Sequence, residues 1–149
     1  DKIREIIELN QKSIAQGGQI VDLRLPGTLY IYADEVKIGQ VITNFLTNAL
    51  KHTATGQHIT IQAYRKPDEE TMHFEIRDDG EGIPESELPY VWDRYHKTSR
   101  SFSRNQLNTG LGLAIVKAIL DAHDAQFGVE SVVGKGSTFW FELRETHEA

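Results

Sequence analysis

Asn44 and Asn48 stand one helical turn apart, with Lys51 a turn further on, in the run Asn44-Phe45-Leu46-Thr47-Asn48-Ala49-Leu50-Lys51-His52. At about 100° per residue these three polar groups fall within an arc of roughly 60°, and His52 lies where that arc meets the apolar face. Asparagine is a poor helix former, so two of them beside a core-facing stripe cost helix propensity unless something uses them. An amide oxygen is a hard, neutral ligand suited to Mg2+, which keeps waters and completes its octahedron with substrate phosphates. A solvated helix face would accommodate the pair equally well.

The strand-like run Met72-His73-Phe74-Glu75-Ile76-Arg77-Asp78 puts Met72, Phe74, Ile76 and Asp78 on one face, the apolar one. Asp78 is therefore a carboxylate aimed at the core. An ion buried without partners is expensive, so donors must meet it: backbone amides of its own turn, or the exocyclic amine of a ligand. Asp79-Gly80-Glu81-Gly82-Ile83 follows, with two glycines where a ligand could approach the backbone closely or where the chain needs positive φ. Thr109-Gly110-Leu111-Gly112-Leu113 reads as the opening of a helix after a basic loop, and a helix N-terminus offers free amides and a positive dipole end to an anion. Close helix packing explains the same glycines, and Gly134-Lys135-Gly136 is first of all a hairpin turn.

Elements must position these groups. Ile3, Ile6, Ile7 and Ile14 recur at near-helical spacing and stop at Gly17-Gly18, which predicts a first helix over 2–15. Residues 20–25 and 29–33 read as two strands around Pro26-Gly27. A long helix over 35–51, capped by Asp34, turns Val41, Ile42, Phe45, Leu46, Ala49 and Leu50 towards a sheet. Strands over 58–65 and 71–78 flank a polar connection; a short helix is expected over 85–93 and a polar, mobile loop over 97–109. A helix over 111–122 and strands over 127–133 and 137–143 complete the chain. The expected fold is an α/β (α+β) two-layer sandwich: a mixed, mostly antiparallel sheet of about five strands with about three helices on one face. One domain over 1–149 is expected, since 149 residues bury one sizeable core.

Composition excludes several classes. Sixteen basic against 22 acidic residues give a formal charge of −6, which argues against a nucleic-acid-coating surface. No cysteine is present, so disulfide frameworks and thiolate metal sites are ruled out. No window approaches the roughly 18 uninterrupted apolar residues of a membrane span, so a soluble piece is expected, without membrane contact of its own and compatible with the cytoplasm. Yet residues 94–120 hold no acid while Arg94, Lys97, Arg100, Arg104 and Lys117 all fall there. An acidic chain has kept one anion-tolerant segment.

In order along the chain, the asparagine-bearing helix, the strand ending in Asp-x-Gly-x-Gly, the basic loop, the Gly-Leu-Gly-Leu helix and the Gly-x-Gly-Ser-Thr turn resemble the histidine-kinase branch of the gyrase, heat-shock-chaperone and mismatch-repair ATPase superfamily. The resemblance runs from about residue 34 to 143. It implies Asn48 as the Mg2+ ligand, Asn44 close by and Lys51 near the phosphates of ATP. It implies that Asp78 binds the adenine amino group, within a first glycine box that includes Gly80, Gly82 and Ile83. Trp92-Asp93-Arg94-Tyr95-His96-Lys97 is similar to the aromatic box that begins an ATP lid, here over 95–109, with Tyr95, His96 and Lys97 near the nucleotide. Thr109, Gly110, Leu111, Gly112 and Leu113 resemble the box that closes the lid over the phosphates, and Ser137 and Thr138 follow a third box near the adenine aspartate.

Three positions depart from the family's pattern. Asn108 replaces a glycine, His52 stands where Tyr or Phe is common beside adenine, and Lys97 replaces an Arg, so a point charge takes the place of a planar fork. Two further features bear on activity. None of the six histidines stands in a His-Glu-x-x-x-Pro-like context, and position 44, where hydrolysing relatives carry a glutamate base, is Asn. The resemblance therefore implies transfer of the γ-phosphoryl group of ATP, leaving ADP, to a histidine on a separate dimerisation and phosphoacceptor helical domain. Asn44, Asn48, Lys51 and Lys97 would be the catalytic set. A response regulator downstream, a monomeric fragment and a homodimeric parent kinase are implied in the same way. An ATPase or anti-sigma serine kinase of the superfamily, or a module that only binds nucleotide, are the alternatives.

Overall fold

The structure, a computed structural model, describes residues 2–24, 30–31, 35–67, 70–92 and 106–146. Two short helices open it, α1 (Lys2–Leu9) and α2 (Gln11–Gly17), rather than the single one the isoleucine spacing predicts. Asn10, at φ −105° and ψ 10°, stands between them, and its side-chain amide donates to the Ile6 carbonyl oxygen at 2.9 Å. Gly18, at φ 72°, ends α2 in the left-handed conformation.

Strand β1 (Ile20–Arg24) and the two-residue β2 (Tyr30–Ile31) are not partners in a hairpin, as the Pro-Gly signal suggested. β1 lies at one edge of the sheet, parallel to β3 (His58–Arg65), and α3 (Glu35–His52) lies between the two in sequence, while β2 pairs with the far end of β6 (Gly136–Thr146). Parallel partners need a long crossover, which a turn-sized signal cannot report. β3, β4 (Thr71–Asp78), β6 and β5 (Gln126–Val132) then pair antiparallel in that spatial order. The sheet is thus mixed and mostly antiparallel, as expected, with six strands among the described residues once the short β2 is included.

One face of this sheet is the core. Ile59, Ile61 and Ala63 of β3, Met72, Phe74 and Ile76 of β4, and Phe139, Phe141 and Leu143 of β6 alternate inward, meeting Val41, Ile42, Phe45, Leu46 and Ala49 of α3. Ile6 of α1 and Leu113, Val116, Ile119 and Leu120 of α4 (Gln106–Ala122) close the layer, so among the described residues three helices, α1, α3 and α4, cover one face. The opposite face stacks Tyr64 on His73 and His73 on Trp140, with His73 between Glu75 and Glu142.

Two boundaries differ from the sequence expectation. Of the stretch 85–93, where a helix was expected, the described residues 85–92 hold only a 3-10 turn (Leu88–Tyr90), because Pro89 has no N–H to continue an α-helix and restrains Leu88. Helix α4 begins at Gln106, so 106–109 belong to a helix rather than to the expected loop. The remainder of that loop, with Tyr95, His96 and Lys97, lies outside the described residues, as do Asp34 and Pro26-Gly27.

Candidate functional site

The last turns of α3 meet the end of β4, and the glycines between them set how closely. A Cβ at Gly80 would collide with the His52 carbonyl oxygen, and one at Gly136 with the Asp78 carbonyl oxygen. Gly136 also sits at φ 110°, closed to most side chains. Gly82, at φ 77°, lies against the backbone of Val132. These turns pack backbone on backbone around Asp78.

Asp78 points coreward, as period two demands, and is 2% exposed. Its Oδ1 accepts the Gly80 N–H at 2.9 Å. Burial pushes its carboxyl above the ordinary value; the Gly80 bond, the nearby His52 and a backbone bond from Ser137 only partly offset that. The fold therefore holds a carboxylate under desolvation. Ser137 is buried beside it in register, and its Oγ lies 2.7 Å from Ser131 Oγ. Ser131 in turn accepts the Ile83 N–H at 2.7 Å and donates to the Gly136 carbonyl oxygen at 3.0 Å, tying the first glycine turn to the third. Thr138, one residue on, pairs with exposed Arg77 and with Glu130 and lies on the opposite face of the sheet. Alternation along β6 thus brings Ser137 to the aspartate and takes Thr138 away.

Asn48 is 6% exposed, and its Oδ1 is buried without a hydrogen-bond partner among the described residues. An orphaned buried acceptor costs desolvation energy, and a hard neutral oxygen is what Mg2+ takes. Among the described residues no three His, Cys, Asp or Glu side chains gather to hold a metal, so a cation here would rely on Asn48 and on substrate oxygens. Burial lowers the Lys51 ammonium below its ordinary value. His52 Nδ1 lies 3.3 Å from Glu81 Oε1, spanning from the end of α3 to the first glycine turn.

Asn44 is met from α4. A Cβ on Gly112 would lie 3.4 Å from Asn44 Oδ1, an ordinary contact distance, so this turn of the second helix lies beside the asparagine face of the first. That placement corrects the helix-opening expectation: with α4 starting at Gln106, Gly110, Leu111 and Gly112 lie beyond the free amides of the first turn, and only Thr109 borders them. Leu113 is a core residue and Ile83 packs against the core. Trp92 meets Phe127 and Phe139 edge-on at 5.1 and 5.7 Å, anchoring the start of the aromatic run.

Ser131 and Glu81 escaped the sequence reading. Ser131 pairs with Ser137 across the β5–β6 ladder, a relation visible only once the register is known. Comparison with known proteins finds relatives in sequence and in fold. The family described as histidine kinase-, DNA gyrase B-, and HSP90-like ATPase matches residues 33–147. Sensor histidine kinase WalK of Bacillus subtilis (strain 168) is 37% identical over 115 residues, 77% of this chain and 19% of its own length. The catalytic domain of histidine kinase ThkA superposes with TM-score 0.81 at 25% identity, covering 96% of this chain and 91% of that one. Full-length ShkA in complex with AMPPNP gives TM-score 0.82 at 26% identity, covering 99% and 30%.

Proposed function

The chain belongs to the histidine kinase-, DNA gyrase B-, and HSP90-like ATPase family, and from that premise we propose that it is the ATP-binding catalytic domain of a sensor histidine kinase. The chain spans 19% of the length of WalK, so the activity of such a whole protein comes to it only as part of this reading. The observation that carries the nucleotide site is Asn48 Oδ1, an acceptor buried without a partner among the described residues, on the same stretch of α3 as Lys51 and His52. A bound Mg2+ would neutralise charge on the transferring phosphoryl group.

This chain's own residues divide the remaining work. Asp78 receives the adenine amine, with Ser137 beside it, and Gly80, Gly82 and Gly136 keep side chains out of the turns around it. Asn48 would hold the cation, with Asn44 near it, and Lys51 would meet phosphate oxygens. Tyr95, His96 and Lys97, and Thr109 with its following glycines, are proposed as the lid side of the site. Asn at position 44 leaves no carboxylate there to activate water. Imidazole is itself a nucleophile, so a histidine acceptor needs positioning and charge neutralisation more than a base. The acceptor would lie on a dimerisation domain of the same kinase, with a response regulator downstream and the cytoplasm as its setting. Among the described residues no helix is long and apolar enough to cross a membrane.

Calorimetric titration with ATP, with Mg2+ and with a chelator, tests the site. Binding that Mg2+ strengthens, and that Asn48→Ala reduces to the chelator level, is expected; superimposable Mg2+ titrations of parent and variant would remove Asn48 as the ligand.

A further inference from the structure

Gln19 follows α2 by two residues and reaches across to the end of α3. Its Nε2 lies 3.1 Å from the Leu50 carbonyl oxygen, 3.3 Å from that of Thr53 and 3.2 Å from Thr53 Oγ1. Thr53 Oγ1 donates its own proton to the Ala49 carbonyl oxygen at 2.8 Å, so towards Gln19 it accepts. The last carbonyls of a helix have no partner within it, and here one amide serves the terminal turn from behind. Its orientation is fixed by those acceptors, because the flipped amide would set oxygen against oxygen.

The arrangement carries a cost. Gln19 Oε1 is buried without a hydrogen-bond partner among the described residues, a desolvation cost that an apolar side chain of similar shape would avoid. Gly17 provides the space. It lies in α2 with no positive φ, so its backbone does not call for glycine, but a Cβ there would collide with the Gln19 amide. Two more bonds join the same connections: Thr55 Oγ1 donates to the Gly17 carbonyl oxygen at 2.8 Å and the Gly56 N–H to that of Gly18 at 2.9 Å.

We infer that Gln19 is a positioning residue for the nucleotide site: its amide fixes the terminal turn of α3, which carries Lys51 and His52 and follows Asn48, and ties that turn to α2. It touches no substrate and acts through α3. The inference rests on the reading of Asn48 as a Mg2+ ligand.

The test is the factor by which Mg2+ strengthens ATP binding, measured by calorimetry for the parent chain and three variants, with thermal melts alongside. Gln19→Met keeps length but removes the donors, and should cut that factor roughly three- to tenfold. Gly17→Ala leaves Gln19 in place chemically but pushes its amide aside; it should cut the factor similarly although alanine favours the helix, and should add little to Gln19→Met. Gln19→Lys returns donors to the helix end and should restore the factor to within about twofold. A parent-like factor in Gln19→Met, even with a lower melting temperature, would make Gln19 a stabiliser only and overturn the inference. If the parent itself shows no Mg2+ effect, the Asn48 reading fails and this inference falls with it.

Discussion

Burial works against Asp78. Its carboxyl value is raised in the fold, so its contribution to stability is present at low pH and is lost as pH rises through the folded value. The ionised form of Asp78 is thus the one that the fold disfavours. Asp78→Asn keeps an acceptor for the Gly80 N–H while removing that charge, and without ligand its melting temperature at pH 7 should rise above that of the parent. ATP affinity should fall about ten- to hundredfold, because a charge-assisted bond to the adenine amine is lost. Melting curves and calorimetry check the two halves separately; unchanged affinity would remove the adenine assignment. Asp78 was legible in the sequence because period two alone sends it coreward. Thr138 was over-read for the same physical reason, since its neighbour Ser137 already occupies the inward position. Ser131 was not legible, because a serine on an alternating strand carries no sign of what lies across the ladder.

Elements were legible where hydrophobic period is long and misplaced where a local signal competes with packing. The helix α3 and the strands β3, β4 and β6 follow directly from Phe45, Leu46, Phe74, Ile76, Phe139 and Phe141 facing one core. The start of α4 was set too late because Gly110 and Gly112 look like a helix opening, whereas both lie inside α4, with Gly112 beside Asn44. The two kinds of glycine should respond differently to alanine. Gly80→Ala drives a Cβ into the His52 backbone and should destabilise the chain by about 1–3 kcal/mol. Gly112→Ala meets only the Asn44 side chain at ordinary contact distance and gains helix propensity, so its melting temperature should not fall. On the outer face, burial raises the Glu142 carboxyl, but hydrogen bonds from His73 at 2.7 Å and Lys66 at 3.0 Å outweigh it and hold it below the ordinary value. That contribution is present above the unfolded carboxylate range and is lost as pH falls through the folded value. Acid melting of Glu142→Gln should therefore be less steep in pH than that of the parent, and parallel acid limbs would contradict the role given to the cluster.

At the scale of the whole molecule, the sheet provides a rigid floor from which Asp78, Ser137 and the glycine turns rise at one end. The asparagine face of α3 meets α4 above it. The two-layer class was legible because helices alternate with strand pairs. The parallel β1–β3 pairing was not, since it depends on a crossover longer than any turn signal. On the proposed reading the chain binds ATP, and none of its histidines stands in a His-Glu-x-x-x-Pro-like context. The most direct measurement mixes it with γ-labelled ATP, Mg2+ and the dimeric helical domain of its kinase. The expected result is no label on the chain itself, slow ATP hydrolysis by the chain alone, and acid-labile, base-stable phosphate appearing on the helical domain in proportion to its concentration. Absence of that label while ATP binding is confirmed, or rapid multiple-turnover hydrolysis by the chain alone, would contradict the account.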